Sequence, residues 1–185
     1  SLVKLGHQVH YLCREQMREA IEDTGASFHS EIDHEPEMYA NREPSLFGAV
    51  EDIKKERGLE GESFIVSLFK LREIMLEMML PGAIRWLKQV GADVVVYCPM
   101  MNAEAAYAAK VLGIPSVALL TTAGPGSLPK ATHEFLAQQG LSRDDVLAAR
   151  RSYAPLLECL GALEAKYGIV IEIDGGLNPM GRLDT

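Results

Sequence analysis

Two hydrophobic patterns alternate along the first thirty residues. Residues 8–12 form a short run typical of a strand, and residues 14–24 carry apolar side chains at helical spacing on one face. Gly25 follows, as a glycine often does where a helix ends. The sequence ASFHS at 26–30 then predicts a second strand. Together the three segments predict a β-α-β unit whose short loops favour parallel strands.

The pattern degrades in the middle of the chain and then becomes strongly helical. Residues 31–62 are acidic and contain proline and glycine, which predicts a mobile insertion with one helix at 46–55. Residues 63–80 carry apolar side chains at helical spacing on two faces, which predicts a helix with little polar surface. Pro81 is expected to kink or end that helix, because proline disfavours a helical conformation at the preceding residue. A further helix is expected at 83–90.

Three apolar runs in the second half predict further strands. The run ADVVVYCP at 92–99 is continuously apolar and β-branched, as in strands buried on both faces of a parallel sheet. An alanine-rich helix is expected between Asn102 and Gly113, followed by a buried strand in PSVALLTT. Two helices then lead to the strand IVIEI at 169–173. This alternation predicts an α/β fold with a doubly wound parallel sheet, as a single domain over 1–185.

Composition and charge narrow the classes of function. The chain has 18 basic and 26 acidic residues and a net charge of −8, which argues against nucleic-acid binding. The three cysteines form neither a disulfide framework nor a zinc pattern, which favours a reducing compartment. The most apolar long stretch, 64–87, contains five charged side chains, too many for a bilayer span. We therefore expect a cytoplasmic protein without a transmembrane segment.

Candidate chemistry is expected where the predicted strands end. Ligands of open parallel sheets bind beyond the carboxyl ends of the strands, where loops and helix N-termini converge. The residues at those ends are Cys13 with Arg14, the segment Cys98–Asn102 and the segment Thr121–Ser127. Cys98 could be a reactive thiol, but most buried cysteines act as small hydrophobic residues, and that interpretation is favoured.

Two other segments allow both a functional and a structural interpretation. The segment from His29 to Glu35 contains residue types that bind metals, but it lacks a recognised ligand spacing, so a solvated acidic loop is favoured. No metal site is therefore predicted. The methionines of the helix at 63–80 suit either core packing or an apolar binding cleft, and both roles stay open.

Two longer segments resemble a known enzyme family. The sequences LVKLGHQVHYLCREQMREAIEDTGASF and GADVVVYCPMMNAEAAYAAKVLGIPSVALLTT are similar to the N-terminal half of GT-B glycosyltransferases of the UDP-glycosyltransferase type, especially the bacterial macrolide-glycosylating branch. The resemblance implies a Rossmann-like acceptor-binding domain that lacks its first strand. On this interpretation the chain is truncated at both ends and inactive alone.

The resemblance also implies a reaction and a set of site residues. A hexosyltransferase of this type moves a sugar from a UDP-sugar, bound by a second domain, to the hydroxyl of a small apolar acceptor. The family's catalytic histidine would lie upstream of this chain, and Cys98 occupies the position of the carboxylate that orients it. The resemblance therefore places no catalytic residue and no resident cofactor in the chain. It implies that the acceptor pocket is lined by Phe64, Leu68, Met75, Met79, Met100, Met101, Thr121 and Thr122.

Two other functions stay open at this point. The thiol of Cys98 in place of a carboxylate favours a non-catalytic, Rossmann-like module that binds a small ligand. Another doubly wound enzyme, such as a small reductase, is weakened because the sequence carries no dinucleotide-binding fingerprint.

Overall fold

The first thirty residues fold as the hydrophobic pattern predicts. A computed structural model describes residues 1–99, 101–119 and 134–173 of the chain. Strand β1 (His10–Cys13) is followed by helix α1 (Arg18–Glu22) and strand β2 (Ser27–Ser30). The two strands pair in parallel, from His10 opposite Ser27 to Cys13 opposite Ser30. The predicted β-α-β unit is therefore confirmed.

The segment 31–62 is helical and contributes to the core. It forms α2 (Glu31–His34), α3 (Pro36–Tyr39) and α4 (Leu46–Glu56), so the helix expected at 46–55 is confirmed. The hydroxyl of Ser45 accepts a hydrogen bond from the Gly48 amide and caps α4. Buried apolar side chains, among them Met38, Ala49 and Ile53, join the main hydrophobic core. The segment is thus part of the packed body rather than a surface loop.

One long helix organises the molecule. Helix α5 (Phe64–Val90) has 27 residues and is capped by the Ser63 hydroxyl, which accepts a hydrogen bond from the Val66 amide. It contacts α3, α4 and most of the later helices. The helix continues through Pro81, so the expected second helix at 83–90 is its last third. Leu80 and Ala83 flank the proline and are both buried, and this packing offsets the lost backbone hydrogen bond.

A second pair of parallel strands follows α5. Strand β3 (Val95–Tyr97), helix α6 (Ala103–Leu112) and strand β4 (Ser116–Ala118) form another β-α-β unit, with Val96 opposite Val117. The predicted parallel neighbours are therefore confirmed. The expectation that these strands are buried on both faces is wrong, because Val96 and Val117 are 57% and 52% exposed. In β3 one face packs on the core through Val95 and Tyr97, whereas all three residues of β4 are exposed.

The last described segment is helical up to a glycine and then irregular. Helix α7 (Arg143–Arg151) begins at a capping box formed by Ser142 and Asp145, and Pro155 lies in the first turn of α8 (Ala154–Tyr167). The expected strand at 169–173 is not formed: Ile169 and Ile171 are buried, but the segment pairs with no strand of the described chain. The alternating pattern correctly predicts that Ile169 and Ile171 are buried. A strand also needs a neighbouring strand with which to form hydrogen bonds, and the pattern does not show whether one is present.

The predicted doubly wound parallel sheet is wrong for the described residues. They form two separate two-stranded parallel sheets, β1–β2 and β3–β4, in a chain that is mostly helical. The main core lies between α5, α6 and α8 rather than on two sides of a continuous sheet. The Rossmann-like architecture inferred for 1–185 is therefore replaced by a helical body that carries two small β-α-β units. No helix in the described ranges is long and apolar enough to cross a bilayer.

Candidate functional site at the strand ends

The carboxyl ends of β1 and β2 bring together a cation, a carboxylate and a phenol. Arg14 follows β1, and Glu31 follows β2; their Nε and Oε2 atoms are 3.7 Å apart. The Tyr39 hydroxyl of α3 donates a hydrogen bond of 3.4 Å to the same Glu31 oxygen. These three residues line a small cleft of about 40 Å³ together with Glu15, Gln16, Ile32, Pro44 and Ser45. The cleft admits a few water molecules or a small polar group.

A buried carboxyl group lies just beyond β3. Glu104 is in the first turn of α6 and only 5% exposed, and its Oε1 accepts a hydrogen bond of 3.2 Å from the Asn102 amide group. The helix N-terminus and the Asn102 amide favour the ionised form. Burial outweighs them and raises the pKa of Glu104 to about 7, with a smaller contribution from the charge of Glu31. This carboxyl group can therefore gain or lose a proton near neutral pH.

A second buried carboxyl group lies between α2 and α3. Glu35 is 3% exposed, and burial followed by the charges of Glu104, Glu31 and Glu37 raises its pKa to about 9. Glu35 is thus protonated at neutral pH and can donate a hydrogen bond. The charges of Glu31 and Glu104 both raise the pKa of Glu35, although these two residues follow strands of different sheets.

The arrangement suits proton transfer better than metal binding. A carboxyl group that titrates near pH 7 beside one that stays protonated provides both an acceptor and a donor of protons. Burial and the neighbouring carboxylates raise the pKa of Tyr39, so its hydroxyl keeps its proton. Among the residues that the structure describes, no group of three or more histidine, cysteine or acidic side chains is arranged to hold a metal ion.

The cysteines expected at the strand ends occupy two of those ends. Cys98 is half-buried, and its carbonyl oxygen accepts hydrogen bonds from the amides of Met101 and Asn102, at 3.2 and 2.9 Å. Cys13 is also half-buried, and burial raises the pKa of its thiol. Met101 is 49% exposed beside the end of β3. Met100, Thr121, Thr122 and the rest of 120–133 lie outside the described residues.

The α5 residues that the resemblance assigns to the acceptor pocket lie partly in the core and partly at the surface. Met75 is buried in the main core, and Leu68 and Met79 are half-buried against it. Phe64 is 37% exposed, and its ring lies 6.4 Å from the ring of Phe47 in α4. Of the two roles left open for this helix, core packing therefore holds for Met75.

The three strongest acid–base candidates were not found from the sequence. Glu31 and Glu35 fall in the segment that the sequence analysis interprets as a solvated loop. Glu104 falls in an alanine-rich helix that was interpreted only through its small side chains. One signal was available for Glu104: it is the only acidic residue between Asn102 and Gly113. Comparison with known proteins adds no assignment, because the chain matches no protein-family model, no curated protein and no solved structure.

Proposed function

We propose that this chain is the acceptor-binding part of a nucleotide-sugar-dependent glycosyltransferase. In this proposal a small apolar alcohol is bound where β1, β2 and β3 end, with its hydroxyl toward the buried carboxyl groups. The observation that carries the proposal is Glu104, a buried carboxyl group at the end of β3 whose pKa is raised to about 7. The parallel pairing of β3 with β4 supports it, because the resemblance to glycosyltransferases includes both strands.

The proposed chemistry is a direct displacement that inverts the sugar carbon. The acceptor oxygen forms a bond to that carbon while the bond to the phosphate oxygen of the UDP-sugar breaks, and UDP leaves with the electron pair. The acceptor proton passes to a base, which the resemblance identifies as a histidine outside this chain. Cys98 cannot stabilise the resulting imidazolium as a carboxylate does, and Glu104 offers the missing carboxyl group six residues later.

Other features of the chain agree with this proposal. The net charge of −8 disfavours nucleic acid as a partner and leaves a small uncharged alcohol as the better acceptor. The donor UDP-sugar would be held by a second domain outside these 185 residues, in a cytoplasmic protein. The chain itself would contribute the acceptor site and the carboxyl group.

The experiment is a transfer assay on the full-length gene product that contains this chain. A panel of UDP-sugars and apolar alcohols is incubated with the protein, and mass spectrometry detects the addition of one hexose. We expect Glu104→Gln to lower the transfer rate at least about tenfold, since a carboxylate that orients a catalytic histidine and stabilises its imidazolium contributes on that scale or more. The control is Glu164→Gln, at an exposed carboxylate of α8. No hexose addition with any donor, or equal rates for the two variants, would contradict the proposal.

A second candidate function is a non-catalytic module that binds a small ligand. The thiol of Cys98 at the position of the orienting carboxylate favours it, as does the small polar cleft beside Arg14 and Glu31. This function predicts that an alcohol from the panel perturbs the nuclear magnetic resonance signals of residues near the strand ends without any sugar transfer. The same panel therefore distinguishes the two candidates.

A further inference from the structure

Two imidazole rings lie together on one face of the β1–β2 sheet. The register places His10 opposite Ser27 and Leu12 opposite His29, so both histidine side chains project from the same face. Nδ1 of His10 lies 3.0 Å from Nε2 of His29, and the two ring centroids are 5.3 Å apart. Backbone pairing of the strands thus brings two potential ligand nitrogens together. We call His10 and His29 the histidine pair.

Neighbouring rings support the histidine pair. The Trp86 ring of α5 lies edge-on to His29, with 5.6 Å between ring centroids, and the His34 ring of α2 lies edge-on to His29 at 5.5 Å. His10 and His29 are both half-buried, so solvent reaches the pair. Ligands that project from strands and pack against other side chains keep their geometry better than ligands on a free loop.

The separation of the two nitrogens fits neighbouring ligands on one metal ion. Imidazole nitrogens bind first-row metal ions at about 2.0–2.1 Å. Two such nitrogens are about 2.8–3.0 Å apart when the angle at the ion is 90°, and about 3.3–3.4 Å apart at the tetrahedral angle. The observed distance of 3.0 Å matches the right angle. A right angle between nitrogen ligands is typical of tetragonal Cu²⁺ and Ni²⁺.

The ligand type selects the same class of ion. Imidazole suits copper, nickel and zinc, whereas Mg²⁺ and Ca²⁺ prefer oxygen ligands. For a given set of nitrogen ligands, Cu²⁺ binds more tightly than Ni²⁺ or Zn²⁺. A neutral imidazole carries one proton and one lone pair on its two nitrogens. With the protons on His10 Nε2 and His29 Nδ1, both facing nitrogens offer lone pairs, and binding needs no net loss of a proton.

We propose that His10 Nδ1 and His29 Nε2 bind one Cu²⁺ ion as neighbouring ligands at a right angle, with water in the remaining positions. Two protein ligands are compatible with the finding that no group of three or more metal-binding side chains surrounds an ion position in the described part of the chain. Because water completes the coordination, the site is exchangeable rather than structural. It does not depend on sugar transfer.

The sequence did not reveal this pair, because the two histidines are 19 residues apart. The metal-binding residue types between His29 and Glu35 were considered as one segment, and that segment lacks a recognised spacing. The second ligand comes from the other strand of the sheet, and only the strand register shows that the two rings face each other.

Trp86 provides a direct readout of ion binding. It is the only tryptophan in the sequence, and its ring lies against His29. Cu²⁺ has an unpaired electron and quenches the fluorescence of a nearby indole. Titration of the protein with CuCl₂ at about pH 7.5, where imidazole is neutral, should therefore give saturable quenching with one ion per chain. MgCl₂ should give none. Quenching that rises linearly with CuCl₂ and never saturates would overturn the proposal.

Matched variants assign the bound ion to the histidine pair. His10→Gln and His29→Gln each remove one ligand nitrogen. Each should raise the half-saturating CuCl₂ concentration at least about tenfold, since even the loss of a hydrogen bond to a metal ligand weakens binding on that scale. His7→Gln, at an exposed histidine outside the pair, should leave that concentration unchanged. If His29→Gln and His7→Gln saturate at the same concentration, the assignment is wrong.

A measurement on the unmodified protein decides the case in which a variant does not fold. Substoichiometric CuCl₂ should broaden the ring-proton magnetic resonance signals of His10 and His29 before those of His7, because paramagnetic broadening falls steeply with distance from the ion. Equal broadening of all three rings, or earlier broadening of His7, would show that the pair is a hydrogen-bonded contact and not a copper site.

Discussion

Glu35 is the residue whose burial has the clearest consequence for stability. Its pKa is about 9 in the folded chain, far above the usual value of a glutamate, because it is buried among other carboxylates. The unfolded chain releases this proton at lower pH, so the stabilising contribution is complete below about pH 4.5 and is lost as the pH rises toward 9.

We expect Glu35→Gln to stabilise the protein in mildly alkaline solution. A neutral amide of similar shape removes the advantage that ionisation gives to the unfolded state. The free energy of unfolding should increase by about 1–3 kcal/mol near pH 8 and by less as the pH approaches 4.5. Urea denaturation across that pH range measures the difference. An effect that grows toward acid pH would contradict the shift assigned to Glu35.

Cys98 gives a second prediction at the scale of one side chain. The resemblance to glycosyltransferases assigns this position to a carboxylate, so Cys98→Asp in the full-length gene product should raise sugar transfer to an apolar alcohol. Cys98→Ser is the matched control, because it is polar and lacks a charge. Equal rates for the two variants would count against the assignment of this position.

Single residues also show where prediction of the site succeeds and where it fails. The polar residues that follow a strand, such as Arg14, could be identified because strand ends are visible in the sequence. Glu104 is visible as a single acidic residue in an alanine-rich helix, but its burial, which raises its pKa, depends on neighbouring elements that this local pattern does not show. For Met75 the sequence favoured core packing and left the binding cleft open, and its neighbours in the structure place it in the core.

At the scale of elements, Gly82 allows a close approach of α5 to the backbone at the end of α2. A Cβ atom at this position would overlap the carbonyl oxygen of His34 and lie 3.1 Å from the Glu35 Cα. Both contacts are with backbone, which cannot rotate away as a flexible side chain can. The absence of a side chain at Gly82 therefore sets the position of α2 against the long helix.

We expect Gly82→Ala to destabilise the protein by about 1–3 kcal/mol, the usual cost of overpacking. Gly161→Ala is the matched control, since its added Cβ meets no atom within 4 Å in the interior of α8. There alanine should stabilise by up to about 1 kcal/mol through its helix propensity. Thermal melts of both variants test the pair. A higher melting temperature for Gly82→Ala would show that α2 can move away without cost.

The contact between α5 and α7 is fixed by a buried ion pair. Glu73 and Arg150 are fully buried, and Arg150 Nη1 lies 2.9 Å from Glu73 Oε2. The same guanidinium donates from Nε to the carbonyl oxygen of Ile173, at 3.2 Å. One side chain thus connects α5, α7 and the segment that follows α8.

Glu73→Gln should destabilise the protein by about 3–5 kcal/mol, because it leaves the Arg150 charge buried without a carboxylate. Glu15→Gln removes an exposed partner of Arg18 and should leave stability unchanged within error, since solvent screens that pair. Urea denaturation compares the two. A small effect of Glu73→Gln would mean that water or another acceptor reaches Arg150.

At the scale of the whole molecule, the sequence predicts units better than their assembly. Both β-α-β units were predictable, since each depends on neighbouring segments with a short connection. The arrangement of these strands in one sheet could not be predicted, because an apolar run identifies a strand but does not show which other strand pairs with it. Helix α5 decided the outcome: it buries side chains along its length, and the helices pack on it rather than on a central sheet.

The open face of β3 and β4 has a consequence for handling the protein. Val94, Val96 and Val117 present aliphatic surface to water, whereas the net charge of −8 keeps separate copies apart. At about 0.1 M salt, the repulsion between copies is largely screened at separations beyond about 10 Å, whereas the exposed aliphatic surface is unchanged. Dilute buffers should therefore keep solutions monodisperse, and concentrated salt should turn them cloudy.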